Sequence, residues 1–165
     1  MPSLLARIGF AIVKWKSRHG LRDEIDGAAP AAAAKKMQAL RTGVRGETYA
    51  YWYLRRQGYI FIARNYIPSH AKGEIDLVGF DGDKLAFVEV RTRAPREGIS
   101  GFPELSITRE KHELLVRTAH YFLRERHMDV SAMRFDLVAI DNAPGKPPVI
   151  RLRKAAFTPQ AKSYF

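Results

Sequence analysis

The chain contains no cysteine, which excludes disulfides, thiolate metal sites and cysteine nucleophiles and fits a reducing compartment. It also lacks any apolar run approaching the ~20 residues that a membrane span needs. The start does not read as a secretory signal: Arg7, Lys14 and Lys16 interrupt the apolar stretch and no small-residue cleavage site follows cleanly. A cytoplasmic location is therefore the expectation. The histidines at 19, 70, 112, 120 and 127 show no His-x-x-x-His spacing and read as surface or rim residues. Ser69 and His70 are adjacent, but no nucleophile elbow surrounds them, which sets aside a hydrolase triad.

Acid is scarce beside base. The 165 residues carry a formal charge of +11, which points to polyanionic partners. The excess sits mainly at the two ends: +4 over residues 1–40 and +5 over residues 142–165, against +2 between them. A basic tail beside an acidic pocket would suit an enzyme handling phosphodiesters, although a loosely basic protein has the same balance.

The length suits one domain plus an extension. Residues 1–40 read as an amphipathic helix followed by an Ala-rich linker at 27–34, and residues 41–165 as the main domain. Leu4, Leu5, Ile8, Ile12 and Trp15 recur at helical spacing among basic residues. Residues 4–18 could thus lie on a membrane surface or a partner protein, or equally dock on their own domain. Thr42 can cap a helix running to about Gln57, with Gly58 as its stop. The periodicity then predicts strands over 59–66, 74–80 and 84–92, a helix over 108–126, and strands over 135–140 and 149–152. That order is α-β-β-β-α-β-β. Tyr49, Tyr51, Trp52 and Tyr53 could stack on bases, but aromatics on a helix this close to a sheet are more often core. Residues 94–106 form a Pro/Gly-punctuated loop of the kind that often carries function.

The chemistry concentrates in Gly73-Glu74-Ile75-Asp76-Leu77-Val78 and Phe87-Val88-Glu89-Val90-Arg91. Gly82-Asp83 can form a two-residue hairpin loop, with Gly at the first position of a type II′ turn. Asp76 then faces Glu89, and Glu74 faces Arg91. A loop of Asp81-Gly82 shifts the pairing by two and leaves all four side chains on one face. Ile75, Leu77, Ala86, Val88 and Val90 would line the opposite face. Like charges opposed across a sheet are destabilising. A solvated salt-bridge ladder is the plainer reading, but apolar neighbours on both faces argue for a partly dry corner, where unpaired negative charge is costly unless metal-bound.

Gly46-Glu47-x-x-Ala50-x-x-Tyr53-Leu54, Gly58-Tyr59, Arg64-Asn65, the two strand motifs with Arg93, Lys111 and Arg134-Phe135-Asp136-Leu137-Val138-Ala139-Ile140 together resemble the YraN family of bacterial proteins. The likeness covers residues 41–141. It implies a restriction-endonuclease-like mixed β-sheet flanked by helices, within the PD-(D/E)xK nuclease superfamily and similar to archaeal Holliday junction resolvases. It further implies Mg²⁺ (or Mn²⁺) held by Asp76, Glu89, the main-chain carbonyl of Val90 and, from the first helix, Glu47. Arg91 stands where that superfamily has lysine. Arginine stays charged, so it can clamp a phosphate or orient water but cannot serve as a base. Glu74, Arg93 and Lys111 are accessory candidates, Lys111 as a replacement lysine or a solvated first-turn residue, Glu74 as a ligand or as Arg91's partner. Asp136 could orient Arg134.

The resulting expectation is a metal-dependent nuclease hydrolysing DNA phosphodiesters, with branched or recombination and repair intermediates as candidate substrates. The alternative is a non-catalytic nucleic-acid-binding protein on a nuclease scaffold. A second copy of the chain is a further candidate partner.

Overall fold

A computed structural model describes residues 5, 8, 10–12, 31–93, 108–128, 133–141 and 148–157; the side chains of 31–42, 44 and 93 are outside that description. The elements run α1 (Ala31–Arg56), β1 (Ile60–Tyr66), β2 (Ile75–Asp81), β3 (Lys84–Arg93), α2 (Arg109–Glu125), β4 (Met133–Asp141) and β5 (Val149–Phe157). The helix–strand order is the one expected. The loop at 94–106 lies outside the described residues.

Helix α1 starts well before Thr42, a correction to the expected boundary. Ala31 to Leu40 are almost all strong helix formers, and their summed propensity outweighs a mid-chain capping signal at Thr42. What was read as the end of a linker is therefore helix. The other end stops at Gly58, whose φ of +101° is easy only for glycine. Tyr59 N donates to Leu54 O and Gly58 N to Arg55 O, at 3.1 and 3.2 Å, closing a Schellman motif over two buried side chains, Leu54 and Tyr59. Helix α2 opens at Thr108, whose hydroxyl accepts from Lys111 N at 3.3 Å.

The strands form one sheet in sequence order. All neighbours are antiparallel except β3 and β4, which pair in parallel. Such a pair needs a crossover, and α2 lies on it. Helix α1 covers one face through Tyr49, Ala50 and Leu54 against Leu77, Val88 and Val138. Helix α2 covers the other through Leu115, Ala119 and Phe122 against Val78, Phe87 and Phe135. The β2–β3 register pairs Leu77 with Val88 and Asp81 with Lys84. Only Gly82 of the two loop residues has positive φ, +64°, as a type II′ turn requires. The expected hairpin is therefore present with its register.

One face assignment differs. Ile75 packs with the α2 layer, not with Leu77 in the α1 layer. Across from it, Tyr66 also turns toward α2, its ring meeting Phe122 edge-on. Asn65, whose φ of +49° breaks the two-residue alternation of β1, turns Tyr66 to that face beside its partner Ile75. The aromatics at 49–53 are core as the plainer reading had it: Tyr49 is buried and the others pack against the α1 layer.

Near the N-terminus, the described residues 5, 8 and 10–12 are helical. Phe10 docks on Tyr49 and Tyr53 with ring centroids 5.3 and 6.1 Å away. It is not part of the expected apolar stripe, of which Leu5, Ile8 and Ile12 are exposed; Leu4 and Trp15 lie outside the described residues. Among the described residues no helix is long and apolar enough to cross a membrane.

The hairpin end of the sheet is tied by a buried polar knot. Asp136 is fully buried. Its Oδ2 accepts from Tyr59 Oη at 2.8 Å and its Oδ1 from Arg134 Nε at 2.8 Å and Ala155 N at 2.9 Å. Arg134 Nη2 continues to Asp81 Oδ2 at 2.5 Å, which Lys154 Nζ also reaches at 2.6 Å. This network joins four of the five strands or their ends and accounts for Asp136, which orients Arg134 as anticipated. Replacing Asp136 by Ala would leave the buried Tyr59 phenol and the Ala155 N–H without their acceptor and the half-buried Arg134 with Asp81 as its one carboxylate. Breaking a buried pair in this way costs about 3–5 kcal/mol, so Asp136→Ala should lower the urea midpoint sharply. An unchanged midpoint would show the knot to be dispensable.

Candidate carboxylate site

The hairpin carries its carboxylates at the open end, away from Gly82. Asp76 is the second residue of β2, and Glu89 lies past the middle of β3. The Leu77–Val88 pair places them opposite each other one step further along. Asp76 Oδ2 accepts a short hydrogen bond, 2.6 Å, from Val90 N, so its carboxylate crosses onto the neighbouring strand. The resemblance assigned the Val90 carbonyl a role; the group seen in contact is the Val90 N–H.

Glu89 is buried, 5 % exposed, and faces α2. Arg91 Nε lies 3.1 Å from its Oε1 and Lys111 Nζ 3.2 Å from its Oε2. Both are charge contacts out of hydrogen-bonding line: neither Glu89 Oε2 nor Arg91 Nε has an aligned partner. The two cations nevertheless offset much of the charge of Glu89, and Lys111 holds its carboxyl down against the effect of burial. The start of α2 delivers Lys111 against Glu89, with its side chain 29 % exposed.

Glu47 reaches the same corner from the other face. Its neighbour Gly46 lets α1 press on β3, since a Cβ there would fall 1.8 Å from Thr92 Oγ1. Glu47 Oε2 accepts from Asn65 Nδ2 at 2.7 Å. Glu74 departs from expectation: it precedes β2 and is exposed, and Arg91 pairs with Glu89 instead. Gly73, one residue further out, has φ +134°, and a Cβ there would fall 2.1 Å from Thr118 Oγ1. The side chain of Arg93 lies outside the described residues.

The charges are mutually uncomfortable. Burial first, then the charge of Glu89, push the Asp76 carboxyl up to about 7, with Glu47 adding to the push and the Val90 N–H and Lys111 opposing it. Burial also raises Glu89, while Lys111 and Arg91 pull it back and Glu74 adds a smaller push. No group of three or more His, Cys, Asp or Glu side chains set to hold a metal ion is found among the described residues. The donor set is nonetheless all oxygen, with one buried carboxylate oxygen lacking an aligned donor. Such donors suit Mg²⁺ or Mn²⁺, which retain several waters.

A five-stranded mixed sheet with helices on both faces and a carboxylate pair at the open end of its central hairpin is of the restriction-endonuclease-like class. Residues 46–140 match the model of Uncharacterised protein family UPF0102, the family also called YraN. The chain belongs to this family, and the resemblance read from its motifs is borne out. It is 44 % identical over 95 residues to a UPF0102 protein of Solibacter usitatus, covering 58 % of this chain and 70 % of that one. It is 46 % identical over 99 residues to one from Herminiimonas arsenicoxydans, covering 60 % and 76 %. A Pseudomonas syringae pv. syringae relative matches at 38 % over 120 residues, 71 % of this chain and 93 % of its own.

The raised Asp76 has a measurable consequence. The unfolded carboxyl ionises near 3.8 and the folded one at about 7, so between these values the folded state keeps a proton that the unfolded state has released. This contribution to stability is complete below about pH 4 and is lost as pH rises through 7. Discounted for partial exposure, it is on the order of 1–3 kcal/mol. In EDTA, wild type should therefore lose more stability between pH 5 and pH 8 than Asp76→Asn does. Parallel losses in urea unfolding would remove the claim.

Proposed function

We propose that the chain is a metal-dependent nuclease hydrolysing DNA phosphodiesters, with branched or recombination and repair intermediates as its substrates. The observation that carries this reading is the pair of acids Asp76 and Glu89, withdrawn from water and close enough for the charge of Glu89 to raise Asp76. Its restriction-endonuclease-like fold class supports the same reading.

Asp76 and Glu89 would hold Mg²⁺ or Mn²⁺, with Glu47 beside them. Such an ion, when bound, polarises a phosphate and lowers the pKa of its water. The protein supplies the rest. The Val90 N–H fixes one oxygen of Asp76, leaving the other oxygen free to bind. Arg91 and Lys111 flank Glu89 with two positive charges, enough to hold a phosphate oxygen at the carboxylates once Glu89's own charge is shared. Arg91 does so as a planar fork with permanent charge, and Lys111 as a compact, mobile one. Lys111 thus supplies, from α2, the lysine that is missing from the strand motif.

That placement favours catalysis over the binding-only alternative, which rests on Arg91. Branched, flapped and single-stranded DNA should be cut in Mg²⁺ or Mn²⁺ and not in EDTA. Asp76→Ala and Glu89→Gln should each slow cleavage on the order of a thousandfold, equivalent to several kcal/mol of transition-state stabilisation. Salt-sensitive DNA binding without cleavage by wild type would establish the alternative; cleavage undiminished in Asp76→Ala would end the site assignment.

A further inference from the structure

Two consecutive residues of a regular strand point to opposite faces, yet Arg64 and Asn65 of β1 both reach α1. The Arg64 guanidinium lies 4.5 Å from the ring centre of Tyr51. The Asn65 amide donates to Glu47 at 2.7 Å. Glu47 and Tyr51 are four residues apart on α1 and so stand on one ridge of the helix. The departure that makes this double grip feasible is the left-handed backbone of Asn65, φ +49°. Asparagine is among the few side-chain-bearing residues that adopt it readily. Asn65 also falls between the pairs Arg64–Leu77 and Tyr66–Ile75, which puts it alongside Asp76. It therefore touches the carboxylate corner from the strand opposite Glu89.

We infer that Asn65 is a positioning residue: its left-handed turn and its amide together hold Glu47 beside Asp76. The inference rests on the metal-site reading above and deepens it. The amide occupies one oxygen of Glu47 and leaves the second unencumbered. Being neutral, it restrains Glu47 without cancelling the charge a cation would meet. A lysine or arginine in its place would form a competing ion pair.

The discriminating variant is Asn65→Gly, because glycine keeps the left-handed backbone at no steric cost and removes only the amide. Mn²⁺ titrated calorimetrically into the metal-free protein should bind about tenfold more weakly to this variant, the usual cost of losing a group that orients a ligand. Its melting temperature without metal should stay at the wild-type value. In a Glu47→Ala background the same substitution should leave Mn²⁺ affinity where Glu47→Ala alone put it. Equal affinity of wild type and Asn65→Gly overturns the inference and spares the metal site. So does a tenfold loss that persists without Glu47, since Asn65 would then act by another route. Wild type that binds no Mn²⁺ overturns both.

Discussion

Everything at the open end of the hairpin follows from two acids that a two-residue turn sets side by side. A type II′ turn at Gly82 fixes the β2–β3 register, the register opposes Asp76 to Glu89, and helices on both faces keep water from relieving the repulsion. Each nearby cation or donor is then a partial answer to that charge. The Val90 N–H takes one Asp76 oxygen, Arg91 and Lys111 approach Glu89 from its strand and from α2, and still one buried oxygen is left without an aligned donor. A fold selected for stability alone would replace such a pair by apolar residues at little or no cost. Among the buried residues of the sheet, nearly all Val, Leu, Ile, Phe and Ala, only Glu89 and Asp136 are acidic, which makes this corner the candidate site.

Much of this was legible in the sequence because short-range rules dominate there. A Gly-Asp between two alternating runs dictates its own turn, and the turn dictates the pairing; neither depends on the rest of the molecule. The helix stop at Gly58 is local in the same way. Where the reading failed, a longer-range or cumulative effect had won. The propensity of Ala31 to Leu40 acts as a sum, so a single capping residue at Thr42 could not stop the helix from extending back. The alternation rule put Ile75 with Leu77, but it packs with the α2 layer, where its partner Tyr66 also turns after the left-handed Asn65. The family motif contained Arg64-Asn65 all along, yet nothing in the spelling of that dipeptide shows which helix it touches. Lys111 was visible as a candidate, but only the docking of α2 decides between solvent and Glu89.

The molecule holds two buried acidic centres, and the contrast between them separates architecture from chemistry. Asp136, at the hairpin end, is surrounded by donors: a phenol, a guanidinium and a backbone amide satisfy both oxygens. The Ala155 N–H that reaches it comes from a residue itself held at φ +49°, so even the irregularity of β5 serves that acceptor. No ligand could enter without breaking bonds already made. Glu89, one residue further along on the other face, is also buried but is met only by the ion pairs of Arg91 and Lys111, beside a second acid whose proton affinity is raised. Burial is common to both centres; satisfaction is not. The knot ties β2 to β4 through Asp81 and Arg134 and β4 to β5 through Asp136 and Ala155, whereas β3, which carries Glu89, takes no part in it. One acid is therefore fully spent on holding strands together, while the other pair is held only by ion pairs and a single backbone N–H, contacts that a bound ligand could exchange.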